Sequence, residues 1–349
     1  MNNWLTTVST QIFIKAGVSL ERLYTFLKRG VEKDPTDLIG EFYPAVEFLN
    51  FSQHKKNQAQ KLGVIVPFRD RWDMTLSCLK SLEVQTFEPG IELNLYLVNN
   101  GSLAQETKEG LEDFKKKYSN SSSPLVKVLD IDIPFNFSIL CNHAANHADK
   151  DGCSHVLLLN NDIEFEDPGT IQHLLSTMVN LEISGRRVGA VGCTLLYPNR
   201  SVQHLYVAPG VKIIAAHPGK GLKFNPKHLW QQGPRQVPAV TGALMLTSMD
   251  SWRAVGGLDE NLPSSGQDVD YCLKLAKSGY EIFVPGKVYA THKEGVSRGK
   301  HIARKDVQYM YERWPELWAG GHPKLSFWSE KPCLKLISQR FPWKRLLRN

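Results

Sequence analysis

The sequence predicts an α/β protein whose mainly parallel sheet carries helices on both faces. Three observations predict it. From Leu62 onward, short apolar runs alternate with helical segments, and strands that alternate with helices pair in parallel through crossovers. Runs such as HVLLL (155–159) read as strands built for burial. The 349 residues also suffice to bury a sizeable core, as one large domain with extensions or as two domains.

In chain order, residues 1–60 read as a helical N-terminal extension, with Leu20, Leu23, Tyr24 and Leu27 at helical spacing. LGVIV (62–66), ELNLYLV (92–98), LVKVLDI (125–131), HVLLL (155–159) and VGAVGCTLL (188–196) predict strands. Helices are expected between them, near 73–84, 103–118, 137–148 and 168–182. The last has Asp167 as expected N-cap and Pro168 at the first helical position. After Leu196 the pattern loosens into a Gly/Pro/His-rich stretch up to Pro238, too long to read as an idle loop. Regular structure resumes at VPAVTGALMLT (237–247). A short helix around Trp252 should end at Gly256-Gly257, another should run from about Asp268 to Ser278, and strands should follow near 280–284 and 287–291.

Composition narrows the class. Hydrophobic residues make up 42% and charged residues 22%, as in soluble globular proteins. No apolar run approaches the roughly 18 residues of a membrane span, and the N-terminus lacks the basic leader and apolar stretch of a signal peptide. The six cysteines (Cys78, Cys141, Cys153, Cys193, Cys272, Cys333) are scattered without a C-x-x-C pair, which suits core thiols in a reducing cytoplasm.

The net charge of +7 is concentrated at the C-terminus, where Lys331, Lys335, Arg340, Lys344, Arg345 and Arg348 meet no acid. Interleaved with Trp343 and several leucines, they suit peripheral contact with an anionic membrane. They also suit a packed helix with a solvated basic face, and the segment 311–349 is read as a basic amphipathic extension. Nucleic acid is not expected as a partner, because the charge is confined to this tail.

Neither G-x-G-x-x-G nor G-x-x-x-x-G-K-[ST] occurs, so a dinucleotide or P-loop site loses its main support. The strand ends are nonetheless polar: Pro67-Phe68-Arg69-Asp70, Asn99-Asn100-Gly101-Ser102 and Asn160-Asn161-Asp162. Each alone is an ordinary turn signal or surface ion pair. Together they point to a polar site at one edge of the sheet, where open α/β sheets bind ligands.

The order VIVPFRDR, LVNNGS, FNFSILCNHAA, VLLLNNDIE, AVTGALML, VGGLDENLPSSGQDVDYCLKLAKSGY and THKEGVS resembles family-2 glycosyltransferases. It resembles in particular their bacterial branch that includes polysaccharide and rhamnosyltransferases. The resemblance spans roughly residues 62–298 and implies the GT-A fold, a Rossmann-like sheet, over a domain of residues 61–310.

It also implies roles. Asn160-Asn161-Asp162 stands in place of the D-x-D motif, so Asp162 should hold a divalent metal, Mn2+ or Mg2+, on the donor diphosphate, with His292 either completing the metal site or contacting the diphosphate. Asp268, in the E-D-x-D place, should be the base that deprotonates the acceptor hydroxyl. The other reading of Asp268 is a favourable position in the first turn of a helix. Asp270, two residues on, should point elsewhere. Pro67, Arg69, Asp70, Asn99, Asn142, Asn160 and Asn161 are implied to line the donor, and Thr241, Gly242, Ala243 and Gln267 the donor-sugar and acceptor cleft.

Two departures stand out: Asn99 where the family often has Asp, and Gln267 where it often has Glu. The implied activity is inverting, metal-dependent transfer from a UDP- or dTDP-type sugar to a glycan or lipid-linked acceptor. It is expected in the cytoplasm, at the inner face of the membrane if the tail binds there. The departures keep open a non-catalytic sugar-nucleotide or glycan-binding module. A metal-dependent phosphoester hydrolase is the weaker reading, since such sites need several clustered ligands.

Overall fold

Four of the five apolar runs appear as single strands where the sequence placed them, within a computed structural model that describes residues 45–46, 60–119, 124–210, 214–227, 233–293 and 304–315. The first half alternates β1 (Gln60–Phe68), α1 (Trp72–Glu83), β2 (Ile91–Asn99), α2 (Gln105–Tyr118), β3 (Leu125–Asp130), α3 (Phe137–Lys150), β4 (His155–Leu159), β5 (Ile163–Phe165) and α4 (Thr170–Ile183). Next come β6 (Val188–Gly192), β7 (Thr194–Leu196), β8 (Val202–His204), β9 (Ala208–Pro209), β10 (Ala215–Ala216) and β11 (Arg235–Val237). The chain then continues through β12 (Leu244–Ser248), α5 (Met249–Val255), α6 (Gln267–Lys277), β13 (Glu281–Val284), β14 (Tyr289–His292) and α7 (Arg304–Arg313).

An eight-stranded sheet runs β11-β13-β6-β12-β4-β1-β2-β3, and a four-stranded sheet β5-β14-β7-β8 lies beside it. β1 is parallel to β2 and β4, and β2 to β3, whereas β12 is antiparallel to both β4 and β6. The sheet is sandwiched. Leu62, Val64 and Val66 pack into one core with α1, α2 and α4, while Ile65, Tyr96 and Val98 pack into a second core with α3, α5 and α6. With both faces covered, all five residues of β4 are buried, which is why its sequence is apolar throughout.

The structure corrects several expectations. The run 188–196 is two strands, because the chain leaves the main sheet after Gly192 and enters the smaller one at Thr194. At Gly192 the backbone passes so close to Val240 that a Cβ would lie 2.5 Å from its side chain. The run 237–247 also divides: residues 238–243 form a loop between β11 and β12.

Helix α4 starts later than its sequence suggests. Gly169 is its N-cap, and Asp167 Oδ1 accepts from the Gly169 backbone N–H instead. The helix N-terminus is capped from outside by Gln85, whose Oε1 accepts from the Ile171 N–H and whose amide donates to the Asp167 carbonyl.

Of residues 1–60 only Ala45, Val46 and Gln60 are described, and Ala45 bridges antiparallel to Arg235 rather than being helical. At the other end, Met310 and Trp314 are buried in the core, so the folded body extends past the expected boundary at 310. The basic tail 331–349 and Cys333 lie outside the described residues.

The five described cysteines are buried, and burial pushes the Cys272 thiol up to about 12. Among the described residues no helix is long and apolar enough to cross a membrane.

Packing between α1 and α2 makes a testable demand. A Cβ on Gly110 would sit 2.1 Å from Trp72 Nε1. Alanine normally gains about 1 kcal/mol over glycine inside a helix, but overpacking costs ~1–3 kcal/mol. Gly110→Ala is therefore expected to lower the urea-unfolding midpoint. A raised midpoint would mean that the indole moves aside freely.

Candidate active site

The carboxyl ends of β1, β2 and β4 bring the polar strand ends to one edge. At the first two, the side chains knit the loops together. Asp70 (φ 52) and Arg71 (φ 48) are left-handed, a conformation that turns the chain sharply after β1. Asp70 Oδ1 accepts from the Leu103 and Ala104 N–H groups, and Ser102 Oγ accepts from the Asp70 N–H. Asn99 accepts from the Ser102 N–H and donates to Asp130 Oδ1 at 2.8 Å. Where the family often has a carboxylate at the end of β2, this chain has an amide bonded to a carboxylate one strand over. Asn100 holds the following loop by donating to the Ile131 and Ile133 carbonyls.

The end of β4 makes the decisive turn. The Asn160 N–H donates to the Ala243 carbonyl, Asn161 donates to Thr75 Oγ1, and the Ile163 N–H closes back on the Asn160 carbonyl. The chain then enters β5, which pairs with β14 so that Ile163 faces His292 across the ladder. The Lys293 N–H donates to the Asp162 carbonyl. This register sets Asp162 and His292 side by side: His292 Nε2 lies 3.0 Å from Asp162 Oδ1, and both side chains are 9% exposed.

The two groups meet without bonding well. Asp162 Oδ1 is buried and makes no aligned hydrogen bond, although the imidazole nitrogen is close. A separation of 3.0 Å is that of neighbouring ligands in an octahedron with bonds of about 2.1 Å, the arrangement Mg2+ demands. A carboxylate oxygen and an imidazole nitrogen therefore fit a divalent cation. Among the described residues no three His, Cys, Asp or Glu side chains gather into a metal cluster, so the remaining positions would fall to phosphate oxygens and water.

Asp268 lies against Gly242 in the segment Thr241, Gly242 and Ala243. Gly266 (φ 84) opens α6 in a left-handed conformation that favours glycine. In the first turn, Asp268 Oδ2 accepts from the Gly242 N–H at 3.0 Å, and Oδ1 accepts from the Val269 N–H. Gly242 thus grips the proposed base, while the Ala243 carbonyl grips the turn that carries Asp162. One short segment ties both halves of the site together. Gln267 is buried beside Asp268, and its Oε1 has no hydrogen-bond partner.

Asp270 points away, as its spacing implied. Fully buried, it receives hydrogen bonds from Arg313 Nε and Trp314 Nε1, which fastens α7 to α6. Asn142 has its amide engaged with the loop after α5: it donates to the Leu258 carbonyl and Glu260 and accepts from the Leu258 N–H. Arg69 is solvent-exposed, and Pro67 is buried in β1 opposite Val98.

Two residues escaped the sequence reading. Asp306 Oδ2 accepts from the Ser264 N–H, the Ser264 hydroxyl and the Ser265 N–H, holding the loop that leads into Gly266. Gln203 Nε2 lies 2.7 Å from His292 Nδ1. Nothing in the sequence singles out Asp306, while Gln203 lay in the stretch read only as a long functional loop.

The model of the family described as Glycosyl transferase family 2 matches residues 63–251, more than half of the chain. The chain belongs to glycosyltransferase family 2. One relative is the O-antigen biosynthesis protein RfbC of Myxococcus xanthus, 33% identical over 241 residues that make up 68% of this chain and 18% of that protein. This glycosyltransferase-family chain thus spans less than a fifth of that relative's length.

Two solved structures share the GT-A fold. GalNAc-T7 with UDP, GalNAc and Mn2+ aligns with a TM-score of 0.56 at 14% identity, over 85% of this chain and 56% of its own. The mannosyltransferase PcManGT from Pyrobaculum calidifontis, in complex with GDP-Man and Mn2+, aligns at 0.51 and 13% identity, over 98% and 88%.

Proposed function

We propose that this family-2 chain transfers a sugar from a nucleoside diphosphate, of the UDP or dTDP type, to a hydroxyl of a glycan or lipid-linked acceptor, with inversion at the anomeric carbon. The observation that carries the reading is the buried contact of Asp162 with His292, two side chains that fit a cation and lie at the ligand-binding edge of the sheet. The UDP, GDP-Man and Mn2+ named with the two solved relatives support a nucleotide donor and a divalent metal. When bound, Mn2+ or Mg2+ would neutralise charge on the departing diphosphate.

The residues divide the work. Asp162 and His292 would hold the cation, and the loops organised by Asp70, Asn99 and Asp130 would receive the nucleoside. Asp268 would take the proton of the acceptor hydroxyl as that oxygen forms its bond to the anomeric carbon and the bond to the diphosphate oxygen breaks. Each oxygen of Asp268 already accepts one backbone N–H. These bonds orient the carboxylate and leave further lone pairs for the substrate. With one base and a single in-line displacement, no covalent intermediate forms and the configuration inverts.

The catalytic unit in this reading is residues 61–310 together with Arg313 and Trp314, which bond to the buried Asp270. The acceptor class follows the O-antigen relative's name, and the cell-surface polysaccharide it implies would be assembled at the cytoplasmic face of the membrane, where residues 331–349 could bind anionic lipid.

The test is a transfer assay with UDP-, dTDP- and GDP-sugars over a panel of glycan and lipid-linked acceptors, with anomeric configuration read by NMR. A product of inverted configuration is expected from one donor. A product of retained configuration would overturn the mechanism.

The replacement of Glu by Gln at position 267, where a buried carbonyl oxygen lacks a partner, favours one second reading: a module that binds the nucleotide sugar without turnover. Binding with no product across the whole panel would establish that instead.

A further inference from the structure

Gln203 occupies a built position. Leu195 pairs with His204, but the next residue, Leu196, pairs with Val202. Gln203 is therefore the extra residue of a β-bulge, an irregularity that re-aims a side chain. It is 6% exposed, its amide nitrogen lies 2.7 Å from His292 Nδ1, and its amide oxygen is buried without a partner. The other imidazole nitrogen, Nε2, faces Asp162.

The hydrogen bond on Nδ1 decides what Nε2 can do. A neutral imidazole carries one proton, and the nitrogen that binds a cation must be the one without it. With the amide nitrogen of Gln203 toward Nδ1, that nitrogen accepts and the proton sits on Nε2, directed at Asp162. With the amide turned over, Oε1 accepts from Nδ1–H, and Nε2 presents a lone pair beside Asp162 Oδ1. The oxygen that has no partner thereby gains one.

We propose that Gln203 is the positioning residue that makes His292 a metal ligand, its amide turning over to hold the Nδ1–H tautomer when the cation binds. This rests on the reading of Asp162 and His292 as a cation site. Hydrogen-bond partners of this kind orient metal-bound histidines, and losing one typically weakens metal affinity by about 10–100-fold.

The experiment is a Mn2+ titration of the full chain followed by electron paramagnetic resonance. It is run with whichever of UDP, dTDP, GDP and CDP stabilises the wild type most. Gln203→Leu, which fills the space without an acceptor, is expected to weaken Mn2+ binding by about 10–100-fold. Gln203→Glu, whose carboxylate accepts from Nδ1–H, is expected to bind Mn2+ at least as tightly as wild type, and it keeps the test open should the leucine variant not fold.

Unchanged Mn2+ affinity in Gln203→Leu would overturn the proposal, as would an equal loss in Gln203→Glu. A wild type that binds no Mn2+ with any nucleotide would overturn the cation site first and this role with it, a result distinct from a wild type that binds and a leucine variant that binds equally.

Discussion

Asp268→Asn is expected to lower kcat by about 10²–10⁴-fold, the usual contribution of a positioned general base, while the dissociation constant of the donor stays within experimental error. The expectation follows from position. Asp268 is half-buried and anchored by the N–H of Gly242, whose neighbour Ala243 holds the Asp162 turn through its carbonyl. The competing role is a carboxylate that only favours the positive end of α6, a contribution of about 0.3–1 kcal/mol to stability. The two separate cleanly, because that lesser role would lower the melting temperature slightly and leave kcat intact. The measurement is steady-state transfer kinetics beside donor-binding calorimetry, with Asp268→Ala as a second variant in case the asparagine amide repels the Gly242 or Val269 N–H.

Asp162→Ala is expected to abolish metal-dependent nucleotide binding. It removes one of the two side chains that converge at 3.0 Å and leaves His292 as the remaining protein group. In the wild type, a nucleotide–metal pair present at about a hundred times its dissociation constant should stabilise the fold by roughly 2.7 kcal/mol. At roughly 2–4 °C per kcal/mol for a domain of 150–250 residues, that is a shift of several degrees. The variant should show none, while its melting temperature without ligand stays near that of wild type. A variant that retained the full shift would remove Asp162 from the site.

Much of this was legible in the sequence because the information was local. Continuous apolar runs mark strands buried on both faces, so β1 and β4 could be placed closely, β2 and the half-buried edge strand β3 were legible as apolar-rich runs between helical segments, and glycines stopped α5 and α6 where expected. The passage from β6 to β7 could not be read, because VGAVGCTLL contains no clear break and the close approach of Gly192 to Val240 at the change of sheet involves a residue far away in the sequence.

The strand ends were legible as polar positions but not as contacts. The pairing of β5 with β14 joins Asp162 to His292 across most of the domain, and only the family resemblance suggested it. Asn99 shows the limit from the other side. The sequence reported a missing carboxylate, whereas the fold sets Asp130 against that amide. Gln203 was hidden because its role comes from a bulge, which is a property of register and not of composition.

The most direct measurement is a thermal-shift panel on the wild-type chain with UDP, dTDP, GDP and CDP, each with and without Mn2+. The expected result is a shift of several degrees for one base, seen only when the metal is present. A shift equally large without metal, or no shift with any of the four, would contradict the assignment of Asp162 and His292 as the cation site of a nucleotide-sugar transferase.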